Sequence, residues 1–162
     1  SGGKNPQQFL LGGMTNWINY RYRELPSDFF NEGAFFFSAV ETPLRGYPYY
    51  DKLGTRFALA NVEFRFPFVH YLILGFPLPI GFQNIRGAVF MDVGSAWTDD
   101  REFKPFESIP SGGFRLKDLA AGYGFGVRMN LGYFVIRYDL AWGTNFAVSY
   151  DPMSYFSMGA EF

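Results

Sequence analysis

The sequence predicts an all-β chain, an antiparallel β-barrel that crosses a membrane with strands. Three observations predict it. Aromatic residues make up 22% of the 162 residues, with Phe 21 and Tyr 11, beside Gly 19. Mean hydropathy is only -0.05, and no run approaches the ~18 apolar residues that a membrane helix needs. Finally, successive segments alternate apolar and polar residues with period two, and their charges collect on one side. A soluble β-sandwich is the alternative; it would have to bury each apolar side against a second sheet.

Length and charge set the other bounds. The chain suffices for one domain, taken as 1–162 with residues 1–8 disordered. It has no cysteine, which excludes disulfides and cysteine metal sites and leaves the redox compartment open. A net charge of -1 argues against nucleic acid as a partner. The start, Ser1-Gly2-Gly3-Lys4, is not a signal peptide. Either an export signal has been removed or the chain is a piece of a longer one.

Taken in order, Phe9-Leu10-Leu11-Gly12-Gly13 is a short apolar run ending on a double glycine. Residues 14–33 read as loop, yet Trp17, Tyr20, Tyr22, Phe29 and Phe30 suit a membrane interface or a packed lumen rather than a solvated tail. A short strand over 34–40 leads into the tetrad Leu44-Arg45-Gly46-Tyr47. From 55 to 66, Ala58, Ala60, Val62, Phe64 and Phe66 alternate with Asn61, Glu63 and Arg65. Residues 68–79 are apolar but broken by glycine and two prolines, and read as a long turn or a short strand.

The alternation returns over 84–97. Asn84, Arg86 and Asp92 fall on one face, and Ile85, Val89, Met91, Val93 and Trp97 on the other. Residues 98–117 have the composition of a water-exposed outer loop. Next, Tyr123, Phe125 and Val127 oppose Gly122, Gly124, Gly126 and Arg128; the three glycines leave room for something to approach the wall, with the Arg45 loop as candidate. After the Asn130-Leu131-Gly132 turn, Ile136, Tyr138, Leu140 and Trp142 oppose Arg137 and Asp139. In the last strand, Phe156, Met158, Ala160 and Phe162 oppose Ser157, Gly159 and Glu161. Six strands are clear, and seven or eight if 14–22 and 68–76 count. The pattern describes a lipid-facing outside and a wet, charge-paired lumen.

These motifs resemble the bacterial surface-antigen superfamily, which includes BamA, TamA, the two-partner secretion transporters and the chloroplast import channel. Leu44-Arg45-Gly46-Tyr47 resembles its loop tetrad, and Phe90-Met91-Asp92-Val93-Gly94 its aromatic-x-Asp-x-Gly strand. Residues 61–67 resemble the acid-bearing strand before it. Tyr155, Gly159 and the final Phe162 resemble the C-terminal assembly signal of outer-membrane proteins. Phe9–Gly13 resembles the strand end that enters the motif loop. The motifs come in the family's order from about residue 9 onward.

The resemblance implies that Arg45 enters the lumen and pairs with Asp92, with Glu63 close by. The residues themselves agree, because a guanidinium fork suits carboxylates and both acids have inward parity. The chain departs from the family in size: it supplies about six to eight of roughly sixteen strands and no periplasmic module. It is therefore expected to be the C-terminal part of a larger barrel, a small barrel, or one share of an oligomeric barrel. An open sheet in lipid is excluded by its unpaired edges.

The function this implies is outer-membrane protein assembly and insertion, or polypeptide translocation, in the bacterial outer membrane. The alternative is a structural or anchoring barrel that binds a partner without translocation. Expected partners are outer-membrane lipid including lipopolysaccharide, the assembly machinery, polypeptide clients or upstream domains of the same chain, and a second copy of the chain. No catalytic residue, cofactor or metal is expected. His70 is the sole histidine, and no Gly-x-Ser-x-Gly elbow occurs.

Overall fold

A computed structural model describes residues 7–14, 18, 38–41, 43–48, 51–75, 77, 80–98, 103–110, 112–131 and 134–159. Among them every regular element is a strand. Three short strands, β1 (Gln8–Leu11), β2 (Ser38–Glu41) and β3 (Lys52–Gly54), form a small sheet with β1 in the middle. Long strands β4 (Arg56–Leu74) and β5 (Ile80–Trp97) make a hairpin. After the β6 (Phe106–Ser108) and β7 (Phe114–Leu116) hairpin come β8 (Ala120–Asn130), β9 (Val135–Thr144) and β10 (Met153–Gly159). The five long strands form one antiparallel sheet in the order β10-β9-β8-β5-β4.

Register explains how two faces arise from one chain. Val62, Met91, Tyr123 and Trp142 lie directly opposite one another across β4, β5, β8 and β9, as do Phe64, Val89, Phe125 and Leu140. Both rows point outward, and Val62, Phe64 and Phe125 are more than half exposed. The intervening rows point inward. One runs Asn61, Asp92, Gly122, Gly143; the next Glu63, Phe90, Gly124, Ala141, Met153; the next Arg65, Ala88, Gly126, Asp139, Tyr155; and the last Pro67, Arg86, Arg128, Arg137, Ser157. An apolar outer band over a charged inner face is the pleat signature of a barrel wall. Among the described residues the sheet is open, because β4 and β10 do not pair with each other.

Several expectations change. Residues 68–74 are not a separate strand; they finish β4, with Tyr71 opposite Gln83 and Leu74 opposite Ile80, the first residue of β5. The ladder shifts register between Pro67 and Val69, which accommodates a residue that cannot donate. Ile85, expected on the outer face, is buried. The β5–β8 register shifts between Gln83 and Arg86, and Asn84 has φ 54. Such an irregularity breaks the strict inside–outside count. The 98–117 loop contains the β6–β7 hairpin, tied by Glu107 to Arg115 at 2.6 Å and to Lys117 at 3.3 Å.

Most of 14–33 lies outside the described residues, but Met14 is buried against Phe90, Ala141 and Tyr155. Ile18 N–H donates to the Phe156 carbonyl at 2.8 Å, so this stretch touches the edge of β10. Gln8 opens β1 rather than belonging to a disordered tail. Ala160, Glu161 and Phe162 lie outside the described residues, as do Trp17, Tyr20, Tyr22, Phe29 and Phe30.

Candidate functional site

The loop over residues 43–48 lies on the inner face, and each member of the tetrad has its own anchor there. Leu44 exchanges two backbone hydrogen bonds with Gly13, at 3.1 and 3.2 Å. Gly12 and Gly13 both have positive φ, and a Cβ at Gly12 would strike the Pro48 carbonyl. This accounts for the double glycine after β1, since that backbone favours a residue without Cβ. Leu44 then buries itself with Leu11, Tyr47 and Ala120.

Arg45 is 1% exposed and points at the wall. Its Nε and Nη2 donate to the two oxygens of Asp92 at 2.7 and 2.9 Å, and its backbone N–H donates to Oδ2 at 3.0 Å. Nη1 donates to Glu63 Oε2 at 2.7 Å and reaches Asp139 Oδ2 at 3.4 Å. The guanidinium carbon lies 3.4 Å from the centre of the Phe90 ring. A cation so placed gains from the ring's negative face, more so out of water. Phe90 can lie flat because its row neighbours are Gly124 and Ala141; a Cβ at Gly124 would meet the ring. Burial alone would lower the Arg45 pKa, but hydrogen bonding and attraction to Asp92, Glu63 and Asp139 raise it on balance, so the group stays charged.

The surrounding charges complete the set. Asp92 and Asp139 are both 0% exposed. Asn61 donates to Asp92 Oδ1 at 2.9 Å and to the Pro43 carbonyl at 2.7 Å, joining wall to loop. Arg128 grips Asp139 with both terminal nitrogens and reaches Glu63 at 3.3 Å. Arg65 donates to Glu63 Oε1 at 2.7 Å. Three arginines thus meet three carboxylates, and no buried side-chain nitrogen or oxygen among the described residues lacks a partner. Breaking one such buried pair typically costs about 3–5 kcal/mol, because the other charge is left in place.

Gly46 and Tyr47 close the loop. Gly46 has φ 91, and a Cβ there would collide with the Gly143 backbone. Its N–H donates to the Tyr155 hydroxyl at 2.7 Å, and that hydroxyl donates to the Tyr47 carbonyl at 2.8 Å. Tyr47 donates its own hydroxyl between the Ala121 and Thr144 carbonyls, at 3.2 and 3.3 Å. Burial, with Tyr150 and Asp51 nearby, pushes this phenol up to about 12, so it remains a neutral donor. At Gly122 a Cβ would overlap the Arg45 carbonyl, so the loop backbone rests directly on the wall there.

The structure therefore places Leu44, Arg45, Gly46, Tyr47, Glu63, Phe90 and Asp92 in one site. Gly94, on the same inward parity, is buried under Leu11 and Leu59 at its rim. Tyr155 stands here too, as a loop anchor, whereas Gly159 ends β10 away from the loop and Phe162 is outside the described residues. Sequence reasoning did not connect Asn61, Arg128, Asp139 or the Tyr155 hydroxyl to Arg45. Their inward parity was legible, but not which partner each would meet. Tyr155 was the clearest missed signal, since a phenol on an inward row needs a partner.

The Omp85 superfamily domain matches residues 5–162. No curated protein and no solved structure matches the chain. The tetrad docked on an acid-bearing inner wall and the outward apolar band agree with that match. The chain belongs to the Omp85 superfamily, a family of outer-membrane β-barrel proteins with a general role in assembling and translocating polypeptides.

Proposed function

We propose that this chain forms one sector of an outer-membrane barrel wall that acts in inserting outer-membrane proteins or translocating polypeptides. The observation that carries the reading is the burial of Arg45 against Asp92, Glu63 and Asp139, which ties a loop to three separate wall strands. In this role the docked loop sets the shape of the lumen beside the β9 and β10 strands that it touches through Gly143 and Tyr155. The barrel is completed by strands beyond the five seen here, contributed by the same polypeptide or by another copy. β10 forms one edge of the described sheet and is the natural place for a seam that opens toward lipid. Tyr155, Gly159 and Phe162 serve as the segment recognised during the chain's own assembly. Partners on this reading are outer-membrane lipid including lipopolysaccharide, the assembly machinery and client polypeptides. The chain performs no covalent chemistry and carries no cofactor.

The test is Arg45→Ala in lipid vesicles, with two readouts. Heat-modifiable gel mobility reports whether the barrel forms, and insertion or transfer of a client polypeptide reports activity. Activity that falls severalfold while the folded band persists supports the proposal. Unchanged activity, with only a lower unfolding temperature, would support an anchoring barrel instead.

A further inference from the structure

Among the described residues, one level of the inner face is not neutralised. Arg86, Arg128 and Arg137 lie directly opposite one another on β5, β8 and β9, and Arg65 projects from β4 one row away. Together with Asn84, Asn130 and Val135 they line a cavity of about 70 Å³. No carboxylate lines it. Like charges directly opposite on neighbouring strands destabilise a sheet. Arg128 and Arg65 are relieved by Asp139 and Glu63, whereas Arg86 and Arg137 form no ion pair among the described residues. Among the described residues, and counting the docked Arg45, this face sets five guanidinium groups against three carboxylates, Glu63, Asp92 and Asp139.

We infer that this arginine row is a binding site for a tetrahedral oxyanion of the phosphate class. Three features converge on that chemistry. Arg86 and Arg137, which form no ion pair among the described residues, bring two positive charges to a group that carries roughly -1.5 to -2 near neutral pH. Planar guanidinium forks from adjacent strands suit an acceptor that can be held by several oxygens at once. The volume also suffices: by the same measure one water needs roughly 10–15 Å³, so a single oxyanion fits. The Asn84 amide in the lining adds a donor that carries no further charge. The bound anion neutralises the ladder across β5, β8 and β9 and so stiffens the sheet near its short β8–β9 turn.

The experiment is isothermal titration of the folded chain in detergent with inorganic phosphate and with sulfate, against chloride at matched ionic strength. Thermal unfolding is followed in parallel. Saturable binding of the two oxyanions with a rise in melting temperature is expected, and no such response to chloride. The Arg86→Gln/Arg137→Gln variant, which leaves the Arg45 network intact, should bind phosphate about tenfold or more weaker. In phosphate-free buffer it should be no less stable than the parent, since it removes repulsion. A third arm adds phosphatidylglycerol to micelles of a phosphate-free, uncharged detergent in phosphate-free buffer. A response there but not to free phosphate assigns the oxyanion to a lipid headgroup; a response to free phosphate alone assigns it to the solute. Identical behaviour in phosphate, sulfate and chloride together with no response to phosphatidylglycerol overturns the inference, as does a double variant that binds as tightly as the parent. The titration of the unmodified chain decides the matter even where the variant does not fold.

Discussion

The inner face of the five-stranded sheet carries arginines at two levels, and among the described residues only one level carries the matching carboxylates. Around Arg45, three guanidinium groups and three acids interlock, with Asn61 and Phe90 filling what remains. One row nearer the β8–β9 turn, Arg86 and Arg137 face Arg128 with no acid between them. Strand, parity and residue type are the same at both levels. The difference is what arrives from outside the sheet: a loop of the chain itself at the first level, and at the second nothing among the described residues. A buried cation brought in by a loop must be met by acids already in the wall, whereas a cationic row left open is suited to an anion that comes and goes.

The largest test of this contrast is Arg45→Ala. It leaves Asp92 buried with only Asn61 as a side-chain donor, and we expect a loss of about 3–5 kcal/mol in denaturant unfolding. The same truncation at the open level should cost far less, so a comparable loss for Arg86→Gln would break the comparison. Phe125→Lys comes next. It puts a cation on the same strand as the inner glycines but on the outward side, where no acid can reach it. An outward lysine in a bilayer is expected to cost about 2–4 kcal/mol near the midplane, read as loss of the heat-modifiable band. Normal assembly with this change would contradict the assignment of the outer face to lipid.

Smaller effects sharpen the picture of the loop. Tyr155→Phe removes one acceptor from Gly46 and one donor to the Tyr47 carbonyl, and should cost about 1–3 kcal/mol while leaving the charge set intact. Protease cutting within 43–48 should rise in parallel; a loop that stays protected would show that Arg45 alone holds it. The smallest effect belongs to the exposed β6–β7 hairpin. Arg115 and then Lys117 hold the Glu107 carboxyl below its usual range. A lowered folded value means that its contribution is present above the ordinary carboxylate range and is lost as pH falls through the lowered value. Loop protection should therefore weaken on acidification and in high salt, and Glu107→Gln should abolish that dependence.

Much of this was legible from residues alone, for a reason the comparison makes plain. Parity along a strand is a local property with a period of two, so the outward position of Val62, Phe64 and Phe125 and the inward position of Glu63, Asp92 and Asp139 follow from spacing. The glycines at 122, 124 and 126 announce a close approach by the same logic. The prediction went astray where a bulge intervened. Ile85 falls outside the count because of a register shift that no residue type declares, and residues 68–74 read as part of a long turn or a short strand, rather than as the end of β4, because Pro67 interrupts the alternation.

What the sequence by itself determined is an all-β chain with one apolar and one charged face, and an arginine-glycine-tyrosine loop with acids available to receive it. What only the tertiary structure decided is who meets whom: that Arg45 is shared among Asp92, Glu63 and Asp139, that Arg128 rather than Arg137 takes up Asp139, and that Tyr155 latches the loop through its hydroxyl. Those pairings depend on strand order and register between segments as much as 109 residues apart. Alternation within a strand carries no information about the register of its neighbours, which packing and charge balance set together.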